Sequence, residues 1–81
     1  MKDLKGKYVR CETLEQAKEL MKEAEKQGFE PLNPCRVHFL GENTVYNFNR
    51  PNKEVVYASK RLYENAGIKV VEFRYMLEDK E

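Results

Sequence analysis

Apolar residues recur with helical spacing in one stretch of the chain and with strand spacing in several others. Leu14, Ala17, Leu20, Met21 and Ala24 follow one another at intervals of three, three, one and three, forming one stripe of a 3.6-residue helix. The pattern predicts a helix over 13–27. Thr13 with Gln16 three positions on makes a capping box, in which each side chain can satisfy an amide left orphaned at the helix start. Glu12 and Glu15 lie near the positive end of the helix dipole and Lys26 near the negative end. Gly28 supplies a left-handed stop, and Phe29 can fold back on the last turn. Glu15/Lys18, Glu19/Lys22 and Glu23/Lys26 set opposite charges three apart on the outer face.

Ahead of that helix, residues 7–11 alternate, with Val9 and Cys11 on one face and Tyr8 and Arg10 on the other, as in a half-buried strand. Residues 30–34 contain two prolines and read as a loop; 36–40 form a short strand or an ordered loop closed by Gly41. Strands follow at 44–48 and 54–57, joined by the turn chemistry of Asn49-Arg50-Pro51-Asn52-Lys53. Ser59 can cap a short helix, Lys60 to Asn65, with Leu62 and Tyr63 facing inward and Gly67 just beyond its end. Residues 68–76 alternate and predict the longest strand, whose buried register is open between Ile68/Val70/Met76 and Val71/Phe73/Tyr75. The expected order is β-α-β-β-α-β. It fits a single α+β domain, ferredoxin-like or a variant, with an antiparallel sheet and both helices on one face. Residues 7–76 are its expected core, and 1–6 and 77–81 are expected to fray.

With 81 residues and 9.6 kDa, only one small core is within reach. Size scaling predicts about 63% of the unfolded surface to be buried. Fifteen basic and fourteen acidic side chains leave a charge of +1, so no global field points to nucleic acid or a membrane. Apolar runs of no more than four residues exclude a spanning segment. The charged start of the chain has no apolar stretch behind it, so a secretory signal is not expected. Two cysteines, Cys11 and Cys35, are too few for a disulfide scaffold and fit reduced thiols in a cytoplasm.

Candidate chemistry is sparse. Cys11, Cys35 and His38 supply three potential zinc ligands where about four are needed, and no cofactor is expected. Cys35 and His38 would point to opposite faces of a strand, which argues against a thiolate–imidazole pair. Cys11 reads as a small apolar group in the core. No glycine-rich phosphate loop, serine elbow or carboxylate dyad is present, so the chain does not read as an enzyme. The residues that suit binding are those of an open sheet face and the 31–41 loop: Tyr8, Arg10, Arg36, His38, Tyr46 and Arg74. Tyrosine and arginine dominate binding hot spots, because they bury large areas at little entropic cost. They also suit base stacking and phosphate contact, although the aromatic-glycine signature of RNA-binding sheets is missing.

Several segments together resemble the small uncharacterised proteins encoded by phages and prophages of Gram-positive bacteria. They are Tyr8-Val9-Arg10-Cys11, the helix from Leu14-Glu15-Gln16-Ala17-Lys18-Glu19 to Glu25-Lys26-Gln27-Gly28-Phe29, and Thr44-Val45-Tyr46. They continue through Tyr57-Ala58-Ser59-Lys60, Tyr63-Glu64-Asn65-Ala66-Gly67 and Val70-Val71-Glu72-Phe73, so the likeness spans about residues 7–75. It departs in the Pro31 to Gly41 loop and carries no catalytic residue across. The resemblance implies a small cytoplasmic phage accessory protein of unknown activity, and the function expected of it is that of an interaction module that inhibits or redirects a bacterial host protein. The alternative partner is nucleic acid or a nucleotide, and an open sheet face also permits a homodimer.

Overall fold

The computed structural model describes residues 1–31 and 39–77. Strand β1 is Tyr8–Cys11 and helix α1 is Leu14–Lys26. The helix starts where its capping residue lies: Thr13 is extended, and its Oγ1 accepts from the Gln16 amide at 3.1 Å. The reciprocal bond is displaced by one residue, because Gln16 Oε1 accepts from the Glu12 amide at 2.8 Å. The helix ends in a Schellman motif. Gly28 has φ +93°, and the Phe29 and Gly28 amides return to the carbonyls of Ala24 and Glu25 at 2.9 and 3.1 Å. Of the expected stripe, Ala17, Leu20, Met21 and Ala24 are buried, while Leu14 at the helix mouth stays partly open.

The remaining elements are β2 (Glu30–Pro31), β3 (Thr44–Asn47), β4 (Glu54–Ser59), α2 (Lys60–Asn65), β5 (Val71–Glu72) and α3 (Phe73–Leu77). Strands β4-β3-β1-β5 lie side by side in that order, and the two-residue β2 extends the sheet beyond β4. Strand β3 is antiparallel to both β1 and β4, whereas β5 runs parallel to β1 and β2 parallel to β4. The fold is thus α+β, but its sheet is mixed, not antiparallel, and its order is not the ferredoxin-like one expected.

Helix placement also departs from expectation. The connection β1-α1-β2 crosses the sheet one way, and β4-α2-β5 crosses it the other way between strands of the same direction. Right-handed crossovers in opposite directions carry their helices to opposite faces. The packing agrees. Helix α1 buries its stripe with Val9, Cys11, Tyr46 and Phe48 in one cluster. Tyr63 of α2 instead meets Tyr8, whose side chain alternates to the other side of β1.

The stretch 68–76 is not one long strand. Only Val71–Glu72 pairs, and the chain then turns into α3, whose Phe73 and Met76 are buried at helical spacing on the α1 side. The segment ahead of β1 is docked, not frayed: Leu4 is fully buried and its amide donates to Gln27 Oε1 at 2.8 Å. The Lys2 amide donates to the Met76 carbonyl at 3.0 Å. Within α2, Ser59 caps as expected and Tyr63 is buried, but Leu62 is 59% exposed. The loop expected at 30–34 begins with β2, and most of the expected 36–40 element lies outside the described residues. No helix among the described residues is long and apolar enough to cross a membrane.

Complete burial of Leu20 under α1 makes it a sensitive probe of this arrangement. Leu20→Ala is expected to lower unfolding free energy by about 2–5 kcal/mol in urea denaturation. Leu62→Ala, on the outer surface of α2, is expected to change it by no more than about 0.5 kcal/mol. A large loss at Leu62 would mean that α2 packs with that side inward.

Candidate interaction surface

Alternation along β1 sends Val9 and Cys11 beneath α1 and leaves Tyr8 and Arg10 on the opposite face, where the sequence placed them. The Tyr8 ring packs edge-on against Tyr63 with centroids 5.2 Å apart, and its hydroxyl accepts from Asn49 Nδ2 at 3.2 Å. Helix α2 therefore covers part of this face. Arg10 is held on two sides. Parallel register sets it beside Glu72, and its Nη1 donates to Glu72 Oε1 at 3.0 Å, while its Nε donates to the Glu42 carbonyl at 3.0 Å. With its side chain 15% exposed, this guanidinium is engaged within the protein.

Tyr46 does not belong to the open surface. It faces the α1 side beside Val9, is 2% exposed, and lies 6.4 Å from the Tyr57 ring. Arg74 is open, at 82% exposure, but it projects from α3, not from a strand, with Nη2 3.9 Å from Glu12 Oε1. Arg36, His38 and Cys35 lie outside the described residues. Of the four expected binding residues that are described, the structure brings Tyr8 and Arg10 together on one face.

Concavities formed by described residues border this framework. A cleft of about 450 Å³ at one end of the sheet is lined by Lys5, Gln27, Phe29, Asn49, Arg50 and Lys53. Its cations gather near the C-terminal end of α1, where they complement the helix dipole. A second groove, of about 550 Å³, runs along the β5 margin between Lys7 and Tyr8 on one side and Lys69, Val71 and Tyr75 on the other, with Glu72 in its wall. Tyr75 is 48% exposed, and its ring lies beneath Lys2 Nζ, 3.6 Å from the centroid. Sequence reasoning missed this groove, because Tyr75 reaches it only through the turn into α3. The available signal was the i,i+3 spacing of Phe73 and Met76, which fits a helix as well as a strand end.

Cys11 carries no accessible nucleophile. Burial pushes its thiol up to about 12, with Arg10 pulling weakly the other way, so it remains protonated at neutral pH. Burial raises the Tyr46 hydroxyl too, as it does Tyr63 against the pull of the Asn47 hydrogen bond. Among the described residues, no three His, Cys, Asp or Glu side chains converge as a metal site would require. No protein-family model, curated protein or solved structure matches this chain.

The buried thiol and phenols set an alkaline limit to stability. A pKa raised on folding means that the native state retains protons the unfolded chain gives up, so stability falls as pH rises past the unfolded value. For Cys11 that window runs from 9.0 to about 12. Urea midpoints are expected to decline through this range, and Cys11→Ala is expected to flatten the decline. An equal slope in the variant would place the thiol in water.

Proposed function

We propose that this chain is a binding module without catalytic chemistry of its own, and that it docks on a protein partner through the β5 margin of its sheet. In the setting that the resemblance to phage and prophage proteins implies, the partner is a bacterial host protein whose action the module inhibits or redirects. The observation that carries this reading is the groove between Tyr8 and Tyr75, at the β5 end of the sheet, away from β4. Aromatic residues on a concave apolar floor are the anchors from which binding hot spots are built. Val71 supplies that floor, and its neighbours Phe73 and Met76 are buried below, so the surface rests on a packed support.

The alternative of nucleic acid or a nucleotide on the sheet face has less to support it. Stacking would need Tyr46, which is in the core, and phosphate contact would need Arg10, which is already bonded to Glu72 and to the Glu42 carbonyl. Affinity capture from a Gram-positive lysate, with and without nuclease, tests the two readings. One protein retained in stoichiometric amount after nuclease is expected, with retention reduced about thirtyfold by Tyr75→Ser. Captured material that disappears with nuclease, or that is indifferent to Tyr75→Ser, overturns the reading.

A further inference from the structure

The charges around the β5 groove are unbalanced. Lys7 and Lys69 each stand two residues ahead of the paired Val9 and Val71, just outside the two strands, and both line the groove. Among the described residues neither has an ion-pair partner. The acid in the same wall, Glu72, is paired through Oε1 with Arg10 at 3.0 Å. Like charges lining one groove repel, and neither lysine forms an ion pair with a described acid. Lys2, over the Tyr75 ring, adds a third cation close by.

The edge itself is open as well. Strand β5 ends the sheet, with no described strand paired beyond it, so an extended segment has backbone groups to bond to. Resting on the proposed protein-binding role, we infer that the partner segment is an acidic stretch in extended conformation, its carboxylates at Lys7 and Lys69 and its apolar side chains on Val71 and Tyr75. Lysines act as point charges and suit carboxylates. They attract phosphate as well, and it is the open strand edge, which offers backbone bonds to a peptide, that favours the acidic segment.

The probe is a short fluorescein-labelled peptide alternating glutamate and valine, followed by anisotropy and by amide chemical shifts. Binding is expected to weaken with salt and to shift the amides of Lys7, Tyr8, Lys69 and Val71. The double variant Lys7→Glu/Lys69→Glu is expected to weaken it about tenfold or more. Lys18→Glu/Lys22→Glu, an equal charge change on the exposed face of α1, is expected to leave it unaltered. Equal binding of a glutamine–valine peptide, shifts elsewhere on the surface, or tighter binding of oligothymidylate overturns the inference. Lysate capture separates the two readings: a partner lost with Tyr75→Ser but kept by the double lysine variant removes the acidic segment alone.

Discussion

Strands of one direction, linked by crossovers that travel in opposite senses across the same sheet, cannot place both connecting helices on one face. Chirality decides this before any side chain is considered. Here β1 crosses leftward to β2 through α1, and β4 crosses rightward to β5 through α2, with β3 the one strand reversed. The 13-residue α1 takes the larger face with its apolar stripe, and the six-residue α2 reaches only part of the other. Much of the remaining architecture follows from that inequality. The small helix anchors through one ring, Tyr63 against Tyr8, and the β5 margin beyond it meets α3 instead.

A sheet covered on both sides also explains the burial of its centre. In β3, Thr44, Val45 and Tyr46 are all buried, so neighbouring residues that point to opposite faces both lose contact with water. Thr44 remains satisfied there because its hydroxyl donates to the Gly41 carbonyl and accepts from the Leu40 amide, each at 2.8 Å. Arg10 is treated in the same way: a strand residue low in exposure, it has a carboxylate and a carbonyl within reach. Polar groups near the middle of this sheet are spent on the fold, and those still open lie at its rim.

Elements whose signals are local were legible in the sequence. Helix α1 followed from its stripe, cap and glycine stop, and α2 from Ser59 and the glycine at 67. The alternation of β1 correctly assigned Val9 and Cys11 to the core and Tyr8 to the far face. What failed depended on pairing. Alternation identifies a buried face only when the other is wet, so Tyr46 looked like a surface residue while both faces of β3 were closing over it. Residues 70–76 satisfied period two and period 3.6 together: Val71 and Phe73 alternate, and Phe73 and Met76 repeat as in a helix. Tertiary packing selected the second pattern after Glu72. Strand β2, two residues long and containing a proline, carried no periodic signal at all.

The turn after Glu72 matters more to the surface than to the core. Continued as a strand, 73–76 would have sent Tyr75 to the same side of the sheet as Val71 and left a flat, lengthened edge open to pairing along its whole run. As α3, the same residues keep Phe73 and Met76 in the core while shortening the exposed edge to Val71 and Glu72 and raising Tyr75 beside it. The short edge limits indiscriminate strand addition, and in the docking mode we propose the ring and flanking lysines would add requirements of shape and charge. Under that proposal, selectivity would come from combining a small amount of open backbone with side chains that reject an uncharged or cationic strand.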